Sequence, residues 1–284
     1  MQPDENLERV SWIRPECCRG WEFLIAHSSK HYWTIYHETY AVCASLISPQ
    51  TWKYRGQTHN LGGAAGIMLM EPGEIHRTLS LGPGSATFKV AFIEPAELEA
   101  AAQESGLPGL PHFRRAKTND PGLTQALWKL GLATERAGYD TLALQTMQAT
   151  AVQRLLGYAE RAPRLPSRAQ DLSAVARAKD YLQEHYYRSV TLDELSCAAH
   201  VSKYWLVHAF TRALGLPPHT YQLQVRMARA RQLLGRGVLG TQAALDLGFA
   251  DQAHFIRHFK RVMGVTPGEY RRSVDPSFQE SPQE

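Results

Sequence analysis

Between Gly248 and Arg272 the chain reads GFADQAHFIRHFKRVMGVTPGEYRR, which sets Gln252, His254, Arg257 and His258 close together while Phe255 and Phe259 recur one helical turn apart. Read as a helix, the segment carries the polar groups on one side and buries the phenylalanines on the other. The polar residue types match the edges of bases. An arginine fork fits the two acceptors of guanine, a carboxamide fits adenine, and an imidazole donates or accepts at either. Lys203, Arg212, Lys260 and Arg261 suit phosphate oxygens, which position a protein on a duplex without carrying sequence.

A second group of residues suits a small molecule. Tyr36, His37, Trp52, Tyr54 and His76 combine aromatic walls with a few polar groups, the usual make-up of a ligand pocket. Two imidazoles with no clear carboxylate fall short of the three protein ligands of a catalytic metal, so no metal and no cofactor is expected. The chain has no glycine-rich phosphate loop and no nucleophile elbow. No residue is assigned a catalytic role, and the protein is expected not to be an enzyme.

These residues need elements to hold them. At 284 residues, 44% apolar and 20% charged, the chain has the composition of a globular protein long enough for two cores. No apolar run reaches membrane-span length, and the start MQPDENLERVSW lacks a signal-peptide pattern, so a cytoplasmic protein is expected. Cys17, Cys18, Cys43 and Cys197 have no metal-ligand spacing and read as reduced packing residues. The net charge of +4 is unevenly spread: Arg168 to Ser273 holds 15 Lys and Arg against 8 Asp and Glu, whereas residues 1 to 167 are close to neutral. That excess suits a polyanion partner and equally a set of solvated helices.

Four runs, YAVCASLI, TWKYRG, GIMLMEPG and ATFKVAFIE, are short, apolar or alternating, and bounded by turn residues, which predicts strands of an antiparallel sheet or small barrel. From Glu94 the period becomes helical, with Asp120 as an N-cap and Pro121 in the first turn. The helix from about Asp140 to Glu160 has one stripe at Leu142, Thr146, Ala149 and Gln153 and another at Leu144, Met147, Ala151 and Leu155, which predicts apolar surface left over for a homodimer. The stretch YAERAPRLPSRAQD reads as a linker. The predicted organisation is therefore a β-barrel domain with appended helices over 1–160, a linker over 161–172, an all-helical domain over 173–273 and a flexible tail over 274–284.

The helical domain contains a repeat. A shift of 49 positions lays Ser202 on Asp251, Leu206 on Phe255, Phe210 on Phe259, Gly215 on Gly264, Pro218 on Pro267 and Tyr221 on Tyr270. Caps, turn glycines and apolar anchors match, while the outward residues differ: Lys203, Tyr204, Val207 and His208 in the first copy, Gln252, Ala253, His254 and Arg257 in the second. A short helix, a tight turn and a helix buried on one side make the helix-turn-helix plan.

On these residues the segment from Val190 to Arg272 closely resembles the DNA-binding domain of the AraC/XylS transcriptional regulators, most specifically through GFADQAHF and GVTPGEYR. The resemblance implies seven helices, two helix-turn-helix units joined by a long helix around Tyr221 to Leu234, and both recognition helices on one face of DNA. Two departures stand out. His208 takes a place where the family often has arginine, and Gly240 and Thr241 open the second unit, where glycine weakens a helix start. The stretch from Thr34 to Thr78, with its PGEIH turn, resembles more weakly the cupin-type effector barrel of the same family. Cupins bind metals through an HxH pair, and here Ile35 breaks it, leaving a metal-dependent cupin enzyme with an accessory DNA domain as the rival reading. The implied partners are double-stranded promoter DNA, a small-molecule effector and RNA polymerase, with a homodimer as the assembly.

Overall fold

In the computed structural model, which describes residues 8–16, 18–45, 50–61, 66–81, 84–107, 109–135, 141–160 and 169–275, the amino-terminal runs form strands. They are β1 (Arg9–Ile13), β2 (Trp21–Ser29), β3 (Thr34–His37), β4 (Tyr40–Ser45), β5 (Gln50–Tyr54), β6 (Gln57–Leu61), β7 (Gly66–Met70), β8 (Glu74–Ser80) and β9 (Ala86–Ile93). One sheet has the order β1-β2-β9-β4-β7-β10, with β10 (Lys117–Asn119) at its edge, and the other has the order β3-β8-β5-β6. The four runs predicted to be strands are β4, β5, β7 and β9.

Side chains alternate across a pleated strand, and β9 uses both faces. Phe88 and Phe92 turn toward the smaller sheet, with ring centroids 6.3 Å from Trp52 and 6.0 Å from His37. Lys89 lies on the other face, its ammonium 5.1 Å from the Trp128 ring centroid. That face carries the helices α1 (Pro95–Glu104), α2 (Pro121–Glu135) and α3 (Thr141–Leu156). Leu123, Leu127 and Leu130 of α2 and Leu144, Ala151 and Leu155 of α3 share a core with Phe23, Ile25 and Val42 of the larger sheet. Asp120 caps α2 as expected, accepting from the Leu123 N–H at 2.9 Å, and it also receives the Tyr158 hydroxyl at 3.1 Å. Cys18 and Cys43 are buried, and burial pushes the Cys43 thiol up to about 12. Cys197 is exposed, a correction to its expected place in the packing, and Cys17 lies outside the described residues.

Contact density divides the chain into one unit of Met1–Tyr54, Thr58–Ala162 and Arg272–Glu284 and another of Arg55–Gln57 and Pro163–Arg271. The second is helical: α4 (Ala169–Glu184), α5 (Leu192–Ala199), α6 (Lys203–Leu214), α7 (Pro218–Gly235), α8 (Gly240–Asp246), α9 (Gln252–Met263) and α10 (Pro267–Val274). α4 starts inside the span expected for the linker, whose residues 161–168 lie outside the described residues, as does 276–284 of the expected tail. Among the described residues no helix is long and apolar enough to cross a membrane.

Helix α7 is buried on most of its circumference, with Tyr221, Val225, Met227, Ala230 and Leu234 in the core. Its arginines therefore face protein. Arg226 donates to the carbonyls of Tyr186 at 2.7 Å, Gly248 at 3.1 Å and Arg188 at 3.1 Å, and its guanidinium stands 5.5 Å from the Phe249 ring. Burial lowers its pKa from the ordinary arginine value, and the three carbonyl dipoles replace the lost water. Gln222 adds bonds to the carbonyls of Arg188 at 2.8 Å and His185 at 3.3 Å. One face of α7 thus ties the chain leaving α4 to the turn leaving α8.

Gly248 is where that knot is tightest. Its φ is +71°, and a Cβ there would lie 2.1 Å from the Tyr187 carbonyl oxygen, which is main chain and cannot swing away. Gly215 has the same kind of backbone, φ +78°, with open space around it. Gly215→Ala is therefore expected to cost only the left-handed conformation, about 1 kcal/mol. Gly248→Ala adds a backbone clash and is expected to cost at least about 3 kcal/mol. Urea unfolding of the two full-length variants checks this, and equal costs would show that the close approach at Gly248 is unimportant.

Candidate nucleic-acid interface

The two helical repeats are built by the same local chemistry. α5 opens on a capping box, with Glu194 N–H on the Thr191 hydroxyl at 3.2 Å and Thr191 N–H on the Glu194 carboxylate at 3.0 Å. It ends with His200 in the left-handed region, φ 55°, and a bond from Val201 N–H to the Ser196 carbonyl at 3.2 Å. α8 ends the same way at Gly248, with Phe249 N–H on the Ala244 carbonyl at 3.0 Å. Its start has no side-chain cap, yet the helix forms from Gly240 onward despite the glycine.

Each short helix is followed by a longer one with its own cap. Ser202 accepts from Trp205 N–H at 3.4 Å to start α6, and Asp251 accepts from His254 N–H at 2.6 Å to start α9. Both helices end at a left-handed glycine, Gly215 and Gly264. Leu206 and Phe210 are fully buried in α6, as Phe255 and Phe259 are in α9. Phe210 packs against Tyr221 at 5.4 Å, and Phe259 against Tyr270 at 5.7 Å. The offset of 49 holds from the N-caps onward. Before them the turn bonds match at an offset of 48, so the second turn is one residue longer.

With those anchors fixed, the outward residues fall on one side of each helix. Gln252, Ala253, Arg257 and Lys260 are exposed on α9, and His208 and Arg212 on α6. Val207 is half-buried and lines an open groove of about 780 Å³ with Leu192, Ser196, Lys203 and His208. Lys203 is not a free cation, because its ammonium pairs with Asp193 on α5. The side chain of Tyr204 lies outside the described residues.

His254 and Arg261 are more constrained than their spacing indicates. The Nε2 atoms of His254 and His258 are 2.8 Å apart, and Arg261 Nη2 lies 2.5 Å from His258 Nδ1. Phe249 backs both rings, at 5.4 Å from His254 and 6.2 Å from His258. Burial, then the charge of Arg261, then His254 and Arg257, push the His258 imidazole down to about 4. It is neutral at physiological pH. Because an unfolded histidine titrates near 6.5, the unfolded chain takes up this proton first, and stability falls as the pH drops from 6.5 toward 4.

The residues expected to line a ligand pocket do not all meet. Strand register aligns Ile35 and Tyr54 with His76, and Trp52 with Thr78, so these side chains share the inner face of the smaller sheet. His37, two residues from Ile35, joins them, with its ring 5.3 Å from His76, which stands 5.1 Å from Trp52. Tyr36 falls on the opposite face, since successive strand residues alternate. Tyr54 is turned to other work, bonding Glu74 and receiving Glu71 N–H at 3.1 Å. Burial and then the neighbouring His37 hold His76 well below the ordinary histidine value, so it is neutral. Its Nδ1, the Thr78 hydroxyl and the Trp33 indole N–H are buried with no hydrogen-bond partner among the described residues. No group of three or more His, Cys, Asp or Glu able to hold a metal is found among the described residues.

Comparison with known proteins agrees with the helical geometry. The family described as a helix-turn-helix domain matches residues 195–273. The HTH-type transcriptional regulator YbfI of Bacillus subtilis is 28% identical over 189 residues, 66% of this chain and 68% of its own length. A second Bacillus subtilis regulator of this type, YisR, is 30% identical over 185 residues, 56% of this chain and 62% of its own length. Among solved structures, ToxT from Vibrio cholerae with an unsaturated fatty acid bound superposes with a TM-score of 0.53, covering 96% of this chain and 97% of its own at 15% identity, a likeness of fold alone. With two capped and anchored helix-turn-helix units and a matching domain family, residues 195–273 form a helix-turn-helix domain, and the chain is similar to HTH-type transcriptional regulators over 56% to 66% of its length.

Proposed function

We propose that this regulator reads promoter DNA with α9 as its main base-contacting helix and is controlled by a small molecule held between the two sheets of its β domain. The observation that carries the DNA reading is the pairing of α6 and α9. Two helices with the same caps, anchors and burial expose unlike polar residues on the same face, so the fold is held constant while the readout varies. Arg257 and Gln252 offer bidentate contacts to guanine and adenine. Lys260, Arg212 and Arg261 serve phosphates, while Lys203, already paired with Asp193, contributes less. His208 and Val207 give the first unit a weaker, less polar reading surface.

The effector reading rests on the β-domain interior. Buried aromatic rings surround His76 Nδ1, the Thr78 hydroxyl and the Trp33 indole, three polar atoms that a bound molecule would satisfy. That ToxT, alike in fold, was crystallised with an unsaturated fatty acid gives the search a starting class. Thr146, Ala149 and Gln153 stay exposed on α3, while Leu144, Ala151 and Leu155 are used in the core. The exposed stripe is the surface proposed for a homodimer.

Replacing Arg257 by Ala is expected to cost roughly 1 to 3 kcal/mol on the cognate site and little on scrambled DNA. Replacing Lys260 by Ala should weaken both alike and reduce the salt slope by about 1. Binding curves at several salt concentrations decide it, and an equal loss on both sequences for Arg257→Ala would place the base-reading face elsewhere. For the effector, a panel of aromatic, sugar and unsaturated fatty-acid ligands should include one that raises Tm in the wild type and not in His76→Phe. A ligand that shifts both equally binds outside this interior. For the dimer, sedimentation of the full-length chain at micromolar concentration should show a dimer that Ala149→Arg dissociates, and a wild-type monomer would refute it.

A further inference from the structure

His254, His258 and Arg261 lie on one stripe of α9, each a turn from the next. Their hydrogen bonds leave one arrangement of protons. A guanidinium has donors only, so His258 Nδ1, 2.5 Å from Arg261, accepts. His258 is neutral, and its single proton is therefore on Nε2. That N–H points along the 2.8 Å separation to His254 Nε2, which must be bare. A neutral His254 then carries its proton on Nδ1. A cationic His254 would set two N–H groups head to head across the same gap. Nδ1 is engaged by no described residue, and it is not among the buried polar atoms lacking a partner, so solvent reaches it.

We propose that the chain Arg261, His258, His254 fixes His254 as a donor-only reader, whose Nδ1–H requires an acceptor atom at the base edge it meets, such as guanine O6 or N7, thymine O4 or adenine N7, and rejects a position filled by the amino group of adenine or cytosine. An unconstrained imidazole offers a donor or an acceptor with little preference and discriminates poorly between such bases. Here the choice is made before DNA arrives. His258 and Arg261 act as positioning residues, and Phe249 holds both rings in place. Arg261 then has two tasks, since the guanidinium that orients His258 also stays exposed to a phosphate.

The inference rests on the DNA-reading role proposed for α9, but the proton arrangement belongs to the free protein and is tested without DNA. Long-range proton–nitrogen correlation spectra of the full-length chain labelled with 15N-histidine, at pH 7, should show His254 protonated on Nδ1 and His258 on Nε2. In His258→Phe, which keeps a ring against Phe249, His254 should become a tautomer mixture. In Arg261→Met, an exposed change that leaves the core intact, His258 should become one. A wild-type His254 protonated on Nε2, or one unaffected by His258→Phe, overturns the proposal. Selection from randomised duplexes supplies the second arm. His254→Ala and His258→Phe should lose preference at the same single base pair, by about fivefold, the worth of one net hydrogen bond. Losses at different positions also overturn it. A wild-type chain with no sequence preference at all would instead remove the DNA-reading role, and the spectra would still decide the relay.

Discussion

The helical unit depends on one half-buried guanidinium, that of Arg226. Arg226 reaches three carbonyls that belong to two different parts of the chain, Tyr186 and Arg188 after α4 and Gly248 after α8. A lysine could not do this, because a compact ammonium lacks the planar fork that spans separate acceptors. Its removal would leave three carbonyls to water or to no partner at the point where the two segments meet. The consequence is positional: α9 is set by the turn before it, that turn is held at Gly248 and Phe249, and both are held by α7. The same Phe249 that lies beside Arg226 also backs His254 and His258. Framework and readout therefore share a side chain.

The basic charge of the C-terminal third has two separate uses. Arg226 bonds carbonyls, Arg229 lies 5.6 Å from the Tyr186 ring, Arg231 is buried, and Arg177 closes α5 by donating to the Ala199 carbonyl at 2.6 Å. These guanidinium groups are engaged in holding the helical framework together. The charges on the outer faces of α6 and α9 are fewer, and one of them, Lys203, is already paired. Net charge by itself thus overstates the electrostatic surface, and what suits DNA is the arrangement of the exposed residues on two equivalent helices.

Much of this was legible in the sequence because it is encoded locally. Thr191 with Glu194, Thr266 with Glu269 and Asp120 with Pro121 each specify a helix start within four residues, and all three formed. The repeat could be aligned because its anchors are large apolar residues and glycines. β2 was missed for a physical reason: WEFLIAHSS is buried on both faces, so its apolar run has no period to detect. β8, EIHRTLS, is polar enough to pass for a loop. Tyr36 was grouped with His37 by composition, but adjacent strand residues face opposite ways, and only the register assigns the faces. The pairing of Lys203 with Asp193 joins two helices, and the bond between His254 and His258 depends on ring orientation. Helical spacing permits both contacts and specifies neither.

The extra residue in the second turn sets a boundary on how the two units could be interchanged. From each N-cap to the following buried tyrosine, Ser202 to Tyr221 and Asp251 to Tyr270, the copies keep one length and one set of anchors. Upstream of the caps they are out of step by one residue, and each turn is fitted to its own surroundings. The natural cassette is therefore the N-cap-to-tyrosine segment, without the turn before it. Within that cassette the side chains of Gln252, Ala253 and Arg257 are exposed and lie off the buried aromatic pair, so a duplicated reading head can acquire a new sequence preference there while its scaffold stays the same, whereas His254 remains tied to Phe249 in the turn before the cap.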